Sequence, residues 1–249
     1  MKISIVSKDK RFVFVKENLR REGYECNICD IDDYCDSQML VLSPRLELCE
    51  DDLRVLFSKV NNDTTVLSGQ KHKIEEYFDG KVFDYSDNET FLFENAYITA
   101  QCALKLTLEN IDTLVYGKRA FVVGYGRIGK YLASMLRALG AVVFVYARRR
   151  EITLDASYNG CIPASLDDIK AVSPDIIYNT VPGVIIKNEY LSSLASDPIL
   201  YELASSPGGF ESTDGVISAS GLPGRMMPKS AAKAISDLVL CILQGKDRL

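Results

Sequence analysis

The stretch GYGRIGK, Gly124 to Lys130, is a G-x-G-x-x-G loop formed by Gly124, Gly126 and Gly129. An apolar run, RAFVV, precedes it, and RIGKYLASMLRALG follows with Ile128, Leu132, Leu136 and Leu139 on one predicted helix face. That strand–turn–helix context is the one in which such a loop binds the pyrophosphate of a dinucleotide. Gly124 permits the tight turn, Gly126 lets the backbone approach the phosphates, and Gly129 lets the helix pack close to the strand. The helix N-terminus supplies N–H groups and partial positive charge. Tyr125, Arg127 and Ile128 complete the candidate cofactor set in the loop.

About twenty positions after such a loop, the next strand usually ends in an acid that accepts hydrogen bonds from the adenosine ribose. Here AVVFVY runs into Ala147, Arg148, Arg149 and Arg150. Alanine offers no acceptor, and guanidinium groups match the geometry of a phosphate. The pattern predicts NADP(H) in preference to NAD(H), with NAD(H) as the alternative. Glu151 follows directly and offsets part of the charge.

Two later segments read as strand ends facing the same dinucleotide. In NTVP, Thr180, Val181 and Pro182 would flank the nicotinamide ribose. In LASSPGG, the small side chains of Ala204 and Ser205 leave room for a flat ring. GLPG, from Gly221, is a stiff turn feeding a last helix that starts near Pro228, Lys229 and Ser230.

Other chemistry is sparse. The single histidine, His72, lies in the polar run GQKHKIEE, where a surface loop or helix start is expected. It falls outside the nucleotide domain, which excludes the histidine–carboxylate pair of the 2-hydroxyacid dehydrogenases, enzymes similar to this chain in the glycine loop. Seven cysteines are an odd set without a secretion signal, so a disulfide framework is not expected. CNIC, Cys26 to Cys29, lies inside a strand-like run and has no second pair. Packing is expected of it, and no metal site is predicted.

The elements that must position these residues follow from periodicity. Of 249 residues, 47% are hydrophobic and 25% charged, enough for a buried core in two domains. The net charge of −5 argues against a nucleic-acid binder, which needs a basic face. No apolar run approaches the roughly 20 residues of a membrane span. The start, MKISIVSKDK, turns charged too soon for a signal peptide, so a cytoplasmic location is expected. Strands are predicted over 2–7, 24–31, 38–44, 64–69 and 81–86, with helices over 11–23, 49–60 and 74–80. A second series places strands at 119–124, 141–147, 160–164, 175–182, 198–205 and 215–221. Ser165 is placed to cap a helix over 166–172.

The fold class expected is α/β: two Rossmann-like or flavodoxin-like domains with parallel sheets and a cleft between them. The domains read as 1–93 (substrate or partner side), a junction helix over 94–110, the dinucleotide domain over 111–228, and a closing helix over 229–249 that packs back across the junction. Ligands in such folds lie beyond the carboxyl ends of the strands.

From Glu94 on, ENAYITAQCA, VVGYGRIGK, ARRR, YNTVPGVII, YELASSPGGF and GLPGRMMPKSAAKAI occur in an order that resembles the dipicolinate synthase A-subunit family of spore-forming bacteria. Adenosylhomocysteine hydrolases share the layout but are much longer. The resemblance implies NADP-dependent oxidation of dihydrodipicolinate, or of 4-hydroxy-tetrahydrodipicolinate, to dipicolinate in the mother-cell cytoplasm. It also implies a partner, the flavoprotein-like B-subunit of dipicolinate synthase, and an oligomer, homo- or hetero-. Aromatisation would drive the reaction, so a strong general base is not required. A small dicarboxylate needs cationic or N–H partners. Arg225, Lys229 and Arg45, the last beside Ser43 in SPR, are the candidates, with Asn95 and Thr99 as hydrogen-bonding groups. Lys229 and Glu202 are the candidate proton acceptors. The family helix tends to read T-A-E-G-A where this chain has Gln101 and Cys102, and family members carry a longer N-terminal domain. The alternatives are a reductase of another small carboxylate or imine, and a non-catalytic nucleotide-binding assembly subunit.

Overall fold

The computed structural model describes residues 1–192, 194 and 197–245. The chain divides into two units, Met1–Asn95 together with the chain from Pro223 on, and Ala96–Leu222.

The first unit begins with β1 (Lys2–Ile5), α1 (Arg11–Arg21), β2 (Glu25–Ile28), β3 (Met39–Val41), α2 (Glu50–Phe57), β4 (Thr65–Ser68), α3 (Lys71–Ile74) and β5 (Val82–Asp84). The strands form one parallel sheet in the order β2-β1-β3-β4-β5, the flavodoxin-like order. Parallel strands covered on both faces read as continuous apolar runs, as in KISI and MLV. Because successive side chains alternate, Leu40 and Leu42 share one face with Val6, Val66, Leu53, Leu56 and Phe57.

A helix, α4 (Glu89–Asn110), carries the chain into the second unit. There follow β6 (Arg119–Val123), α5 (Arg127–Ala138), β7 (Val142–Tyr146), α6 (Arg150–Tyr158), β8 (Ile162–Pro163), α7 (Ile169–Val172), β9 (Ile176–Asn179), α8 (Asn188–Leu191), β10 (Ile199–Glu202) and β11 (Val216–Ser218). Its sheet is again all parallel, in the order β11-β10-β9-β6-β7-β8, the doubly wound order of dinucleotide-binding domains. Phe121 of β6 registers with Phe144 of β7 on one side and Ile177 of β9 on the other. The expected α/β class with parallel sheets is what the chain adopts.

Two last helices, α9 (Leu222–Met226) and α10 (Pro228–Leu243), return the chain to the first unit. Proline at the first position of α10 suits a helix start. Ala231, Ala232, Ile235 and Val239 are buried along α10, and Asn18 of α1 donates to the Ser236 hydroxyl at 3.2 Å. Of the expected closing segment 229–249, residues 246–249 lie outside the described residues.

Some local expectations shift. The helix expected from 94 begins at Glu89, because the Asn88 side chain accepts from the Phe91 N–H at 2.8 Å and starts the helix a turn earlier. The helix expected over 74–80 is not formed: the helical turn here, α3, ends at Ile74. Ser165 does not cap a helix over 166–172: its hydroxyl donates to the Asp168 carboxylate at 2.8 Å, and only Ile169–Val172 is helical. α6 has no counterpart among the predicted elements. On α5 the buried stripe is Gly129, Leu132, Ala133 and Leu136, while Leu139 is exposed and Ile128 half-buried.

Candidate functional site

The switch point of the second sheet lies between β6 and β9, where neighbouring strands lead off to opposite sides. Ligands of such sheets sit outside the strand carboxyl ends at this point. A cavity of about 560 Å³ opens there, lined by Gly124, Tyr125 and Gly126 after β6, by Tyr146 to Arg149 after β7, by Ile152 of α6, and by Thr180 to Gly183 and Ile185 after β9.

The glycines explain why the loop has its shape. Gly124 has φ +98°, a conformation that side chains rarely adopt, and its position faces Thr180 and Val181. A Cβ on Gly129 would collide with the Gly124 carbonyl, so α5 can approach β6 only without one. A Cβ on Gly126 would meet nothing within 4 Å. That space is open to the cavity, directly before the first residue of α5, where a helix favours an anion.

The charge around the cavity is positive at one end. β7 is followed by Ala147, with no carboxylate, and Arg148 and Arg149 are exposed on the rim. The Arg149 guanidinium lies 3.6 Å from the Glu151 carboxylate, both well exposed. Lys130 is engaged elsewhere: its ammonium pairs with Asp155 at 2.6 Å and lies 5.5 Å from the centre of the Tyr125 ring. Burial pushes the Tyr125 hydroxyl up to about 12, so it stays neutral at physiological pH.

The far wall is held by a hydrogen-bonded network. Asn179, fully buried at the end of β9, accepts from the Val181 N–H at 3.1 Å and donates to the Val181 carbonyl at 2.9 Å. It also donates to Glu202 at 2.7 Å. The Glu202 carboxylate accepts two more bonds, from the Ala204 N–H at 2.8 Å and the Gly209 N–H at 2.7 Å. The Gly209 carbonyl accepts from the N–H groups of Ile185 and Ile186 at 3.0 and 2.8 Å. A Cβ on Gly209 would run into the Asn179 side chain.

Among the predicted cofactor residues, the cavity brings together Gly124, Tyr125, Gly126, Arg148, Arg149, Thr180, Val181 and Pro182. Arg127, Ile128 and Gly129 form the first turn of α5 beside it. Arg150 opens α6, and Ala204 and Ser205 lie after β10; none of these three lines the cavity. Tyr146, Ile152, Gly183 and Ile185 line it although their residue types and positions do not single them out. Ile152 sits on the unforeseen α6, and the apolar run VPGVII, from Val181 to Ile186, is the one signal that could have pointed to Gly183 and Ile185.

The predicted substrate residues are spread over both units. Ser43 is buried and shares a hydrogen bond of 2.7 Å with Ser7, at the switch point between β1 and β3. The cavity of about 540 Å³ that it borders carries Lys8 but also Asp30, Asp32, Glu47, Asp51 and Asp52. Arg45 is exposed nearby in the chain and Thr99 is buried in α4, with Asn95 half-buried one turn before it. Arg225 is exposed on α9, and Lys229 is exposed on α10, its ammonium 5.7 Å from the centre of the Phe14 ring. Glu202 belongs to the second unit and Lys229 to the first. His72 is exposed on α3. All seven cysteines are free thiols, and burial pushes Cys26 up to about 11.

Residues 95–211 match the family model described as S-adenosyl-L-homocysteine hydrolase, NAD binding domain. The dipicolinate synthase A-subunit of Bacillus subtilis is 28% identical over 199 residues, 76% of this chain and 64% of that protein. The chain thus spans less than two thirds of that relative. S-inosyl-L-homocysteine hydrolase of Methanocaldococcus jannaschii is 28% identical over 68% of this chain but only 40% of its own length. The hydrolases are indeed the longer proteins, and the likeness to them is confined to part of their length. Among solved structures, the dipicolinate synthase A-subunit from Bacillus halodurans superimposes with a TM-score of 0.84 at 19% identity, covering 97% of both chains. The corresponding Bacillus subtilis structure gives 0.79 at 22%, covering 100% of this chain and 97% of that one. The glycine loop, the open space at Gly126 and the start of α5 fit a dinucleotide, in agreement with NAD(P) as the expected cofactor. In the order of its motifs, in sequence identity and in fold, the chain resembles the A-subunit of dipicolinate synthase.

Proposed function

We propose that this chain is an NADP(H)-dependent oxidoreductase subunit that oxidises dihydrodipicolinate, or its hydrated precursor 4-hydroxy-tetrahydrodipicolinate, to dipicolinate, together with a flavoprotein-like B-subunit. The observation that carries the cofactor choice is the end of β7. Ala147 stands where an acid would serve NAD(H), and Arg148 and Arg149 line the same cavity as the glycine loop. The substrate class rests on the likeness to the dipicolinate synthase A-subunit.

The nucleotide, when bound, supplies the hydride acceptor. Gly124, Gly126 and the start of α5 would hold its pyrophosphate, Arg148 and Arg149 its 2′-phosphate, and Thr180 to Pro182 the nicotinamide ribose. The substrate's two carboxylates need cations. The acid-lined cavity beside Ser43 disfavours a dianion there, which leaves Arg225 and Lys229 as the candidates for this role ahead of Arg45. Oxidation of dihydrodipicolinate would remove one hydride equivalent and one proton, the proton passing to solvent, and the hydrated precursor would first lose water; the aromatic ring formed would supply the driving force.

Titration of the purified chain with NADPH and NADH, read by nucleotide fluorescence, tests the cofactor. NADPH should bind about tenfold or more tighter, ~1.4 kcal/mol or more. Arg148→Ala combined with Arg149→Ala should remove that margin and leave NADH binding nearly unchanged. Equal affinity for both nucleotides would sink the 2′-phosphate assignment. Turnover with the lysine-pathway intermediate, with and without the B-subunit, then tests the reaction.

A second reading is favoured by two observations: the Glu202 carboxylate is committed to three N–H donors, and the one histidine lies in the other unit. In it the chain binds nucleotide as an assembly subunit while its partner does the chemistry. NADPH binding without turnover in the presence of the B-subunit would select this reading.

A further inference from the structure

We propose that Glu202 is a positioning residue, which holds the nucleotide-facing wall of the cavity in place and takes no proton during turnover; the proposal rests on the NADP(H) reading above. The wall in question is the loop after β9, and Thr180, Val181, Pro182, Gly183 and Ile185 of it line the cavity. Loops of this kind connect the ends of parallel strands and have no ladder of their own, so their backbone groups need partners from elsewhere.

Besides the direct bonds of Thr180 to the Val123 carbonyl and of the Glu211 N–H to the Ile186 carbonyl, several of those partners are tied to one carboxylate. Its first oxygen, Oε1, accepts from Asn179 Nδ2 at 2.7 Å and from the Ala204 N–H at 2.8 Å, and Oε2 accepts from the Gly209 N–H at 2.7 Å. Asn179 passes the restraint to Val181, bonding both its N–H and its carbonyl. Gly209 passes it to Ile185 and Ile186 through its carbonyl. One tie near the start of the loop and one at its end therefore run back to Glu202. Bonds to an ionised acceptor are the short, strong kind. The site admits no bulk: Gly208 has φ +84° with its Cβ position 2.9 Å from Glu202 Oε2, and Gly209 faces the Asn179 side chain. The run ELASSPGG is thus explained by the geometry of an anchored turn.

Glutamine is the informative replacement. It keeps the size of Glu202, but its amide offers one oxygen and one NH2 group. Whichever way it turns, an N–H donor of the chain faces another donor. Asp175→Ala is the control. The Asp175 carboxylate accepts from the Arg119 N–H at 2.7 Å at the amino ends of β6 and β9, the opposite end of the same sheet from the cavity, so its loss weakens the unit away from the wall.

Two measurements are made on the full chain. One is NADPH affinity, and the other is amide hydrogen exchange at Val181, Ile185, Ile186 and Gly209 without nucleotide. Glu202→Gln should weaken NADPH by about tenfold or more and speed exchange at these four amides by a similar factor, while Asp175→Ala changes neither. In turnover the nucleotide KM should rise while the inflections of the rate–pH profile stay in place. The proposal is overturned by Glu202→Gln binding NADPH within about twofold of wild type. It is equally overturned by loss of kcat with affinity and exchange unchanged, the behaviour of a proton acceptor. Failure of the wild type to bind NADPH overturns the nucleotide reading and the role assigned here. The exchange rates, read without nucleotide, tell that apart from failure of the brace itself.

Discussion

At the scale of single residues, ion pairs of very different worth occur in the same molecule. The Arg149–Glu151 pair is exposed on both sides, and pairs of that kind contribute about 0–1 kcal/mol. Glu151 therefore leaves most of the field of Arg148 and Arg149 available to a phosphate. Asp9 and Arg11 are different. Their side chains are 21% and 12% exposed, and the guanidinium meets the carboxylate at 2.6 and 2.8 Å through two nitrogens. Burial raises the Asp9 carboxyl, but the hydrogen bonds and charge of Arg11 outweigh it and hold the group below its ordinary range. A carboxyl whose folded pKa is depressed contributes stability above its unfolded value, near 3.9, and loses it as pH falls through the folded value. Asp9→Asn should cost about 1–2 kcal/mol at pH 7. The gap between variant and wild type should close as denaturation is repeated below about pH 4. A gap that persists unchanged in acid would mean that packing, and not the charge on Asp9, sets the cost.

At the scale of elements, the β6–loop–α5 segment was legible because all its constraints are local. Three glycines at fixed spacing, an apolar strand before them and an amphipathic helix after them suffice. Two of these glycines should separate fold from function. Gly126 has φ −80° and open space at its Cβ, so Gly126→Ala should fold with Tm shifted by only about 2 °C, yet lose about tenfold or more in nucleotide affinity. Gly129→Ala places a methyl group against the Gly124 carbonyl and should cost about 1–3 kcal/mol. Thermal melts and NADPH titrations of both variants check this, and the reverse ordering would remove Gly126 from the phosphate site. What stayed hidden is long-range. Glu202 meets Asn179 across 23 residues, and nothing in YELASS marks its carboxylate as an anchor. α6 was missed because Ala156 is its one buried residue and no apolar stripe announces it. The early start of α4 did leave a trace in Asn88 followed by Glu89, a helix-start pair.

At the scale of the molecule, the chain builds most of one unit, completes a second, and returns α10 to the first. Each unit has its own parallel sheet and its own buried cluster. The cavity assigned to the nucleotide is lined by the second unit alone, whereas Ile235 is 1% exposed on α10 in the first. Ligand and mutation should therefore act on different unfolding events. NADPH at about a hundred times its Kd stabilises whatever carries the site by about 2.7 kcal/mol. Ile235→Ala removes a fully packed side chain and should cost about 2–5 kcal/mol. In calorimetry, saturating NADPH should raise one transition while Ile235→Ala lowers the other, with the variant's NADPH affinity unchanged. A single transition moved by both would mean that the two sheets unfold as one cooperative block. The contiguous second unit could not then be treated as the carrier of nucleotide binding by itself.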